Sequence, residues 1–120
     1  MSGPLLATDR LRVTAGGRVL LDDFSLALPA GEFIAVLGRN GSGKSLTLHT
    51  LAGLRAAAAG HVALGGRDMR TLARGEIARL LGFLPQDREE TLPLSVFEAA
   101  LLGRHPHHIE PQRLCAAVRC

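Results

Sequence analysis

Eight consecutive residues, Gly38-Arg39-Asn40-Gly41-Ser42-Gly43-Lys44-Ser45, have the types and the spacing to hold a polyphosphate. They fit the pattern G-x-x-x-x-G-K-[ST], in which a glycine-rich turn aims successive backbone N–H groups inward at phosphate oxygens. The additional Gly41 lets the backbone close that wrap. Lys44 would bring a compact, mobile ammonium to the β and γ phosphates, and the hydroxyl of Ser45 would be one ligand of Mg2+. The chain carries 13 arginines and a single lysine, Lys44. Wherever a generic positive charge suffices it uses Arg, yet the slim ammonium stands at the position that faces the phosphates.

A loop of this kind works between a strand and a helix N-terminus. Glu32-Phe33-Ile34-Ala35-Val36-Leu37, immediately before it, is an apolar, partly branched run of strand length. Leu48, Leu51 and Ala52, after it, recur at helical spacing. Phe33 to Leu37 is apolar on both faces, which predicts a central strand covered on both sides and flanked by other strands. The residues that follow supply too few strands and helices to do that, and an uncovered central strand is an aggregation hazard.

The elements around this centre follow from hydrophobic spacing. Leu11 and Val13 alternate with Arg10, Arg12 and Thr14, the pattern of a half-exposed strand, and Ala15-Gly16-Gly17-Arg18 turns the chain. Val19-Leu20-Leu21 and Phe24-Ser25-Leu26-Ala27-Leu28 read as two further short strands, and Pro29-Ala30-Gly31 as a tight turn into the loop strand. An antiparallel sheet is therefore expected ahead of a nucleotide core. The loop helix should end near Gly53, with Leu54 to Gly60 as connector, then a strand at His61-Val62-Ala63-Leu64 and a turn at Gly65-Gly66. Ile77, Leu80 and Leu81 should share a helical face, followed by a short strand at Gly82-Phe83-Leu84 that Pro85-Gln86-Asp87 breaks. Ser95-Val96-Phe97-Glu98 is a capping-box pattern opening a helix that ends by Gly103.

Composition narrows the function classes. A length of 120 residues fits one domain, and 47% apolar with 21% charged residues describes an ordinary globular chain. Net charge is only +3, the arginines are scattered singly and the aromatics are four Phe, which argues against a nucleic-acid surface. The first ten residues lack the layout of a signal peptide, and no run approaches the ~18 apolar residues of a membrane helix. The site is expected to face the cytoplasm. Cys115 and Cys120 form a lone pair, and His105, His107 and His108 cluster around Pro106 without an acidic or Cys partner, so a surface turn rather than a metal site is expected there.

The sequence also resembles a known family, the ATP-binding subunits of ABC transporters. The residues that carry the resemblance are Leu21-Asp22-Asp23-Phe24-Ser25-Leu26, Pro29-Ala30-Gly31-Glu32, the phosphate loop with Leu51-Ala52-Gly53-Leu54, and Phe83-Leu84-Pro85-Gln86-Asp87. Order and spacing agree over residues 5 to 104, with 105–120 a weakly matched tail. The resemblance implies an α/β fold, a phosphate-loop NTPase (ABC ATPase) core with an N-terminal antiparallel β-subdomain, the whole chain being part of one nucleotide-binding domain. It implies that Gly38 to Ser45, together with Leu46, bind ATP, that Ser45 and Gln86 reach Mg2+, and that Gln86 is the Q-loop glutamine whose following loop touches the membrane subunit. Implied partners are membrane-spanning permease subunits and a second copy of the ATPase subunit, with no nucleic acid, at the cytoplasmic face of the inner membrane. Leu101-Leu102-Gly103-Arg104-His105-Pro106-His107 is most similar to importers of cobalamin, haem and ferric siderophores, with another ABC system as the alternative.

Two departures from the family matter. Ala15 falls where many relatives carry an aromatic that stacks on adenine, which leaves Arg12 or Arg18 to replace a stacking term of ~1–3 kcal/mol. The LSGGQ-type signature, the strand ending in the Mg2+-binding Asp and catalytic Glu, and the switch His are not found after Gln86; Val19-Leu20-Leu21-Asp22 imitates that metal strand but belongs to the early hairpin. The expectation is a domain truncated before its signature and Walker B regions. No catalytic residue is assigned in this chain, and a nucleotide-binding module without turnover is the alternative to an ATPase.

Overall fold

The alternation around Leu11 and Val13 produces a long strand, β1 (Leu6–Ala15). The computed structural model describes residues 3–85 and 95–104, and the chain divides into two units, Met1–Leu81 and Gly82–Cys120. In the first unit Gly16 and Gly17, at φ 56° and 73°, reverse the chain into β2 (Arg18–Leu28). A two-residue hairpin loop of the type that matches strand twist needs positive φ at both positions, which two glycines adopt without strain.

Where the sequence suggests two short strands at 19–21 and 24–28, the structure has the single strand β2. The ladder with β1 runs through the intervening aspartates by way of register shifts, and Asp23 takes up one of them at φ 51°. Asp tolerates this left-handed conformation better than most residues, so the polar interruption bends the strand without ending it. On β1 the matching irregularity is at Arg10, at φ 44°, whose N–H donates to Ser25 Oγ at 3.0 Å. The buried Thr8 hydroxyl is satisfied by the Phe24 carbonyl at 3.1 Å.

β3 (Ala59–Leu64) pairs antiparallel with the other edge of β1, and the two-residue β4 (Arg67–Asp68) pairs with β3, giving the order β2-β1-β3-β4. One face of this sheet is the core: Leu11, Val13, Val62 and Leu64, with Met69 from a 3-10 turn (Met69–Thr71) and Leu72. Helix α1 (Lys44–Leu51) contributes Leu46 and Leu51 to that face, and α2 (Arg74–Leu80) contributes Ile77. Each large side chain buried this way is worth about 1.5–3 kcal/mol of transfer free energy. The sheet is thus the platform on which the loop helix rests.

Three expectations change. Leu80 is 63% exposed, while Ile77 and Leu81 pack on the core. α2 is only seven residues long and Leu81 is already extended, so the helix keeps one contact stripe and Leu80 turns outward. Phe33 to Leu37 is not in a strand ladder: Phe33 is 89% and Leu37 90% exposed. Gly82-Phe83-Leu84, read as a strand, likewise has no ladder. A strand needs a neighbouring strand to form a ladder, and among the described residues neither segment belongs to one.

In the second unit α3 (Val96–Arg104) opens on the expected capping box, one residue longer at its end than the sequence suggests. The Glu98 N–H donates to Ser95 Oγ at 3.2 Å, and the Ser95 N–H and hydroxyl both donate to Glu98 Oε2 at 2.8 Å. These donors, the Ser95 N–H first, hold the Glu98 carboxyl below its ordinary pKa. No helix among the described residues is long and apolar enough to cross a membrane.

Candidate functional site

The glycine-rich loop turns directly into α1, whose N-cap is Gly43 at φ 98° and ψ 14°. Within the loop the Ser42 N–H donates to the Arg39 carbonyl at 3.1 Å, closing a tight turn. Lys44 is the first helical residue, and its ammonium folds back over that turn, donating to the Gly38 carbonyl and, at 2.8 Å, to the Arg39 carbonyl. The lysine therefore sits on the loop it would have to serve. Arg39, Asn40, Gly41 and Ser45 are exposed, and the Ser45 hydroxyl has no hydrogen-bond partner among the described residues.

An added Cβ would be crowded at two glycines, and Gly43 also needs its positive φ. A Cβ at Gly38 would come within 2.8 Å of Ser42 Oγ, and one at Gly43 within 2.9 Å of Leu20 Cβ. The second approach is tight because Leu20, on β2, packs directly against the helix start. The N-terminus of α1 has no side-chain cap and no acidic residue in its first turn. Its first N–H groups are donors without intrahelical acceptors at the positive end of the helix dipole, a natural seat for an anion. Behind it, the hydroxyls of Thr47 and Thr50 are occupied by the carbonyls of Gly43 and Leu46, each at 2.8 Å. Leu46 is partly buried against the core, so it anchors the helix to the sheet.

The structure thus brings together Gly38 to Leu46. Gln86 lies outside the described residues, as do Asp87, Glu89 and Glu90 and the cluster of His105, His107, His108, Cys115 and Cys120. Among the described residues no group of three or more His, Cys, Asp or Glu could hold a metal ion. Mg2+ takes few protein ligands and completes its shell with water and phosphate oxygens, and the exposed Ser45 hydroxyl is an oxygen of the kind it accepts. On β1 and β2, Arg12 is committed to Asp22, with Nε and Nη2 at 2.8 and 3.3 Å from the two carboxylate oxygens. The Arg12 guanidinium holds the Asp22 carboxyl below its ordinary pKa.

Two residues that the sequence did not single out shape this site. Leu20, which reads as one more strand residue, is the wall behind Gly43. Arg55, in the connector after α1, donates through Nη2 to the carbonyl of Thr14, and the Ala58 N–H donates to the Arg12 carbonyl at 2.9 Å. Together they tie the end of β1 to the chain leaving α1. A single arginine in a connector carries no sequence signal for such a role. A separate cavity of about 340 Å3, lined among others by Thr50, Gly53, Arg55, His61, Met69 and Ile77, contains none of the loop residues.

Residues 21–118 match the family described as ABC transporter. The chain belongs to that family. Among curated relatives, the iron(3+)-hydroxamate import ATP-binding protein FhuC of Bacillus subtilis (strain 168) is 34% identical over 102 residues, covering 85% of this chain and 38% of that protein. The hemin import ATP-binding protein HmuV of Burkholderia pseudomallei (strain 1710b) is 39% identical over 111 residues, covering 86% of this chain and 41% of that protein. The chain therefore spans about two fifths of the length of these relatives. A solved structure described as the ATP binding subunit of an ABC transporter superposes with a TM-score of 0.77 at 23% identity, over 88% of this chain and 44% of that one. The fold is accordingly that of the ABC ATPase family, in its antiparallel β-subdomain and phosphate-loop helix.

Proposed function

We propose that residues 1–120 are part of the nucleotide-binding domain of an ABC importer subunit, which binds ATP with Mg2+ and couples it to uptake of an iron chelate, haem or cobalamin. The observation that carries this reading is Lys44, folded over the Gly38 and Arg39 carbonyls at the uncapped start of α1. An ammonium and a set of unpaired N–H groups converging on one exposed turn suit a polyphosphate better than any neutral ligand. The names of the relatives, an iron(3+)-hydroxamate and a hemin import ATP-binding protein, support the substrate class.

The roles follow from the geometry. The N–H groups of Gly38 to Leu46 would receive phosphate oxygens, Lys44 would exchange its two carbonyl partners for the β and γ phosphates, and Ser45 would bind Mg2+. Bound Mg2+ would neutralise charge on the phosphates. Gln86 would be a further Mg2+ contact, and the segment after it would meet a membrane-spanning permease subunit at the cytoplasmic face of the membrane. A second copy of the complete ATPase subunit would close the site. Crosslinking from Arg88→Cys in the complete transporter should capture the permease. Capture from other exposed positions but not from residue 88 would contradict that placement.

Binding without turnover is the reading we favour for this 120-residue chain, and the two hairpin carboxylates, Asp22 and Asp23, agree with it. Hydrolysis needs a positioned water with a general base. Asp22 is engaged by Arg12, and Asp23 is the exposed bulge residue of β2. Calorimetric titration with Mg-ATP should give a measurable heat of binding that Lys44→Ala abolishes. Phosphate release should be no faster than from the Lys44→Ala variant. Equal affinity of the two proteins would refute the phosphate-loop assignment, and Lys44-dependent turnover would refute the non-catalytic reading.

A further inference from the structure

We infer that the cavity bordered by the end of α1, β3 and α2 binds a small organic oxyanion, with its charged head on the cavity's arginines and an apolar body against the floor. The inference goes beyond the nucleotide reading and does not depend on it, since no residue of the glycine-rich loop lines this cavity.

Volume and floor set the size and character of the body. At about 340 Å3 the cavity falls within the ~300–1,000 Å3 of small-molecule sites and is roughly twice the ~150 Å3 that encloses one benzene ring. Among its lining residues Val62 and Met69 are buried, and Ala57 and Ile77 half-buried, so the deeper surface is apolar. Gly53, Gly60, Arg70 and Arg74 line it as well and are exposed, which puts the polar side chains at the rim. An inorganic anion would leave the apolar floor in contact with water, whereas a ring or short chain would cover it.

Charge sets the head group. Arg55, Arg70 and Arg74 line the cavity together with His61, and none of the described lining residues is Asp or Glu. The two carboxylates nearest in sequence are engaged elsewhere. Asp68 holds Arg70 at 2.6 Å, while Glu76 accepts from the Ala73 N–H at 2.9 Å and lies 3.7 Å from Arg67. Arg74 makes no ion pair or hydrogen bond with a described residue. Arg55 donates through Nη2 to the Thr14 carbonyl, but its Nη1 is buried without a hydrogen-bond partner among the described residues. A guanidinium cannot shed its proton, so this burial leaves a charge without a counter-ion and a donor without an acceptor, a state that folded proteins rarely keep. Arg70 is balanced by Asp68, which leaves the charges of Arg55 and Arg74 for a ligand. A planar fork of donors suits the two or three oxygens of a carboxylate or phosphate group.

The test is a titration of the 15N-labelled 120-residue chain, read on the amides of Gly53, Arg55 and His61, with three probes: benzoate, benzyl alcohol and inorganic phosphate. Benzyl alcohol keeps the ring without the charge, and phosphate keeps the charge without the ring. Benzoate should give saturable shifts at these amides, with an affinity at least about fivefold above either of the others. Arg74→Glu changes an exposed side chain outside the core, and should weaken benzoate about tenfold while altering benzyl alcohol less than about twofold. Arg55→Lys keeps a charge and a donor for the Thr14 carbonyl but loses the fork, and should weaken benzoate about threefold. Benzoate no tighter than benzyl alcohol or phosphate, full affinity in Arg74→Glu, full affinity in Arg55→Lys, or shifts centred away from the cavity would each overturn the inference. Lys44→Ala should bind benzoate unchanged, and a loss there would place the anion on the glycine-rich loop and overturn it too. Failure of the nucleotide reading would show as Mg-ATP binding unaffected by Lys44→Ala, with the benzoate response intact.

Discussion

β1 and the segment from Phe33 to Leu37 are both runs of residues suited to strands, yet they end in opposite states. In β1, Leu11 and Val13 are 0% and 1% exposed, and both edges of the strand are hydrogen-bonded. Phe33 and Leu37 are 89% and 90% exposed, in a segment without a ladder. The second segment is the more apolar of the two. What separates them is the supply of partners: β1 has β2 directly after it across a two-glycine turn and β3 on its other side, whereas 33–37 has no paired strand on either edge among the described residues. Hydrophobic pattern decides what a segment can become, and neighbours decide whether it does.

Substitutions in the two regions should therefore differ most in stability. Leu11→Ala removes the most enclosed side chain of the core and should cost about 3 kcal/mol in denaturant unfolding. A loss below about 1 kcal/mol would mean that the sheet does not hold the first unit together. Gly60→Ala should cost about 2 kcal/mol. Its φ is 71°, and an added Cβ would meet the carbonyls of Arg10 and Asp9 at 2.3 and 2.4 Å, where the β1 irregularity presses on β3. Phe33→Ser, by contrast, should shift stability by less than about 0.5 kcal/mol while raising the soluble fraction on expression. A large destabilisation by this change would show that 33–37 is packed in solution.

The smallest expected effect is a pH dependence at the far edge of the sheet. The guanidinium of Arg70, and after it the Arg70 backbone N–H, hold the Asp68 carboxyl down to about 2, from an ordinary 3.8. A carboxyl lowered on folding stabilises above its unfolded pKa, and that contribution is lost as pH falls through the folded value. Stability should therefore decline between about pH 4 and pH 2, and Asp68→Asn should flatten that decline. Because the pair is exposed, salt should weaken the effect. An unaltered acid limb in Asp68→Asn would assign the decline to other carboxyls.

Sequence and structure agree where the signal is local. The loop pattern around Lys44, the Gly16-Gly17 turn and the Ser95–Glu98 box each depend on residues a few positions apart, and each forms as their chemistry requires. Disagreement begins where distant partners decide. Nothing near Asp22 and Asp23 announces that β1 would carry β2 through them, and nothing near Arg55 announces the Thr14 carbonyl 41 residues away. Leu80 fits a helical stripe by spacing, but the stripe that exists is set by which side of a seven-residue helix meets the sheet. The exposed run at 33–37 is the same lesson in its plainest form.

The most direct measurement is the response of the backbone amides to Mg-ATP, followed by heteronuclear NMR on the 15N-labelled chain. Phosphate binding at the loop predicts the largest shifts at Gly38 to Leu46 and at Leu20, with the amides of Leu11, Val13 and Val62 nearly unmoved, and no response in Lys44→Ala. Shifts centred instead on the cavity residues Thr50, Gly53 and His61, or an equal response in Lys44→Ala, would contradict it.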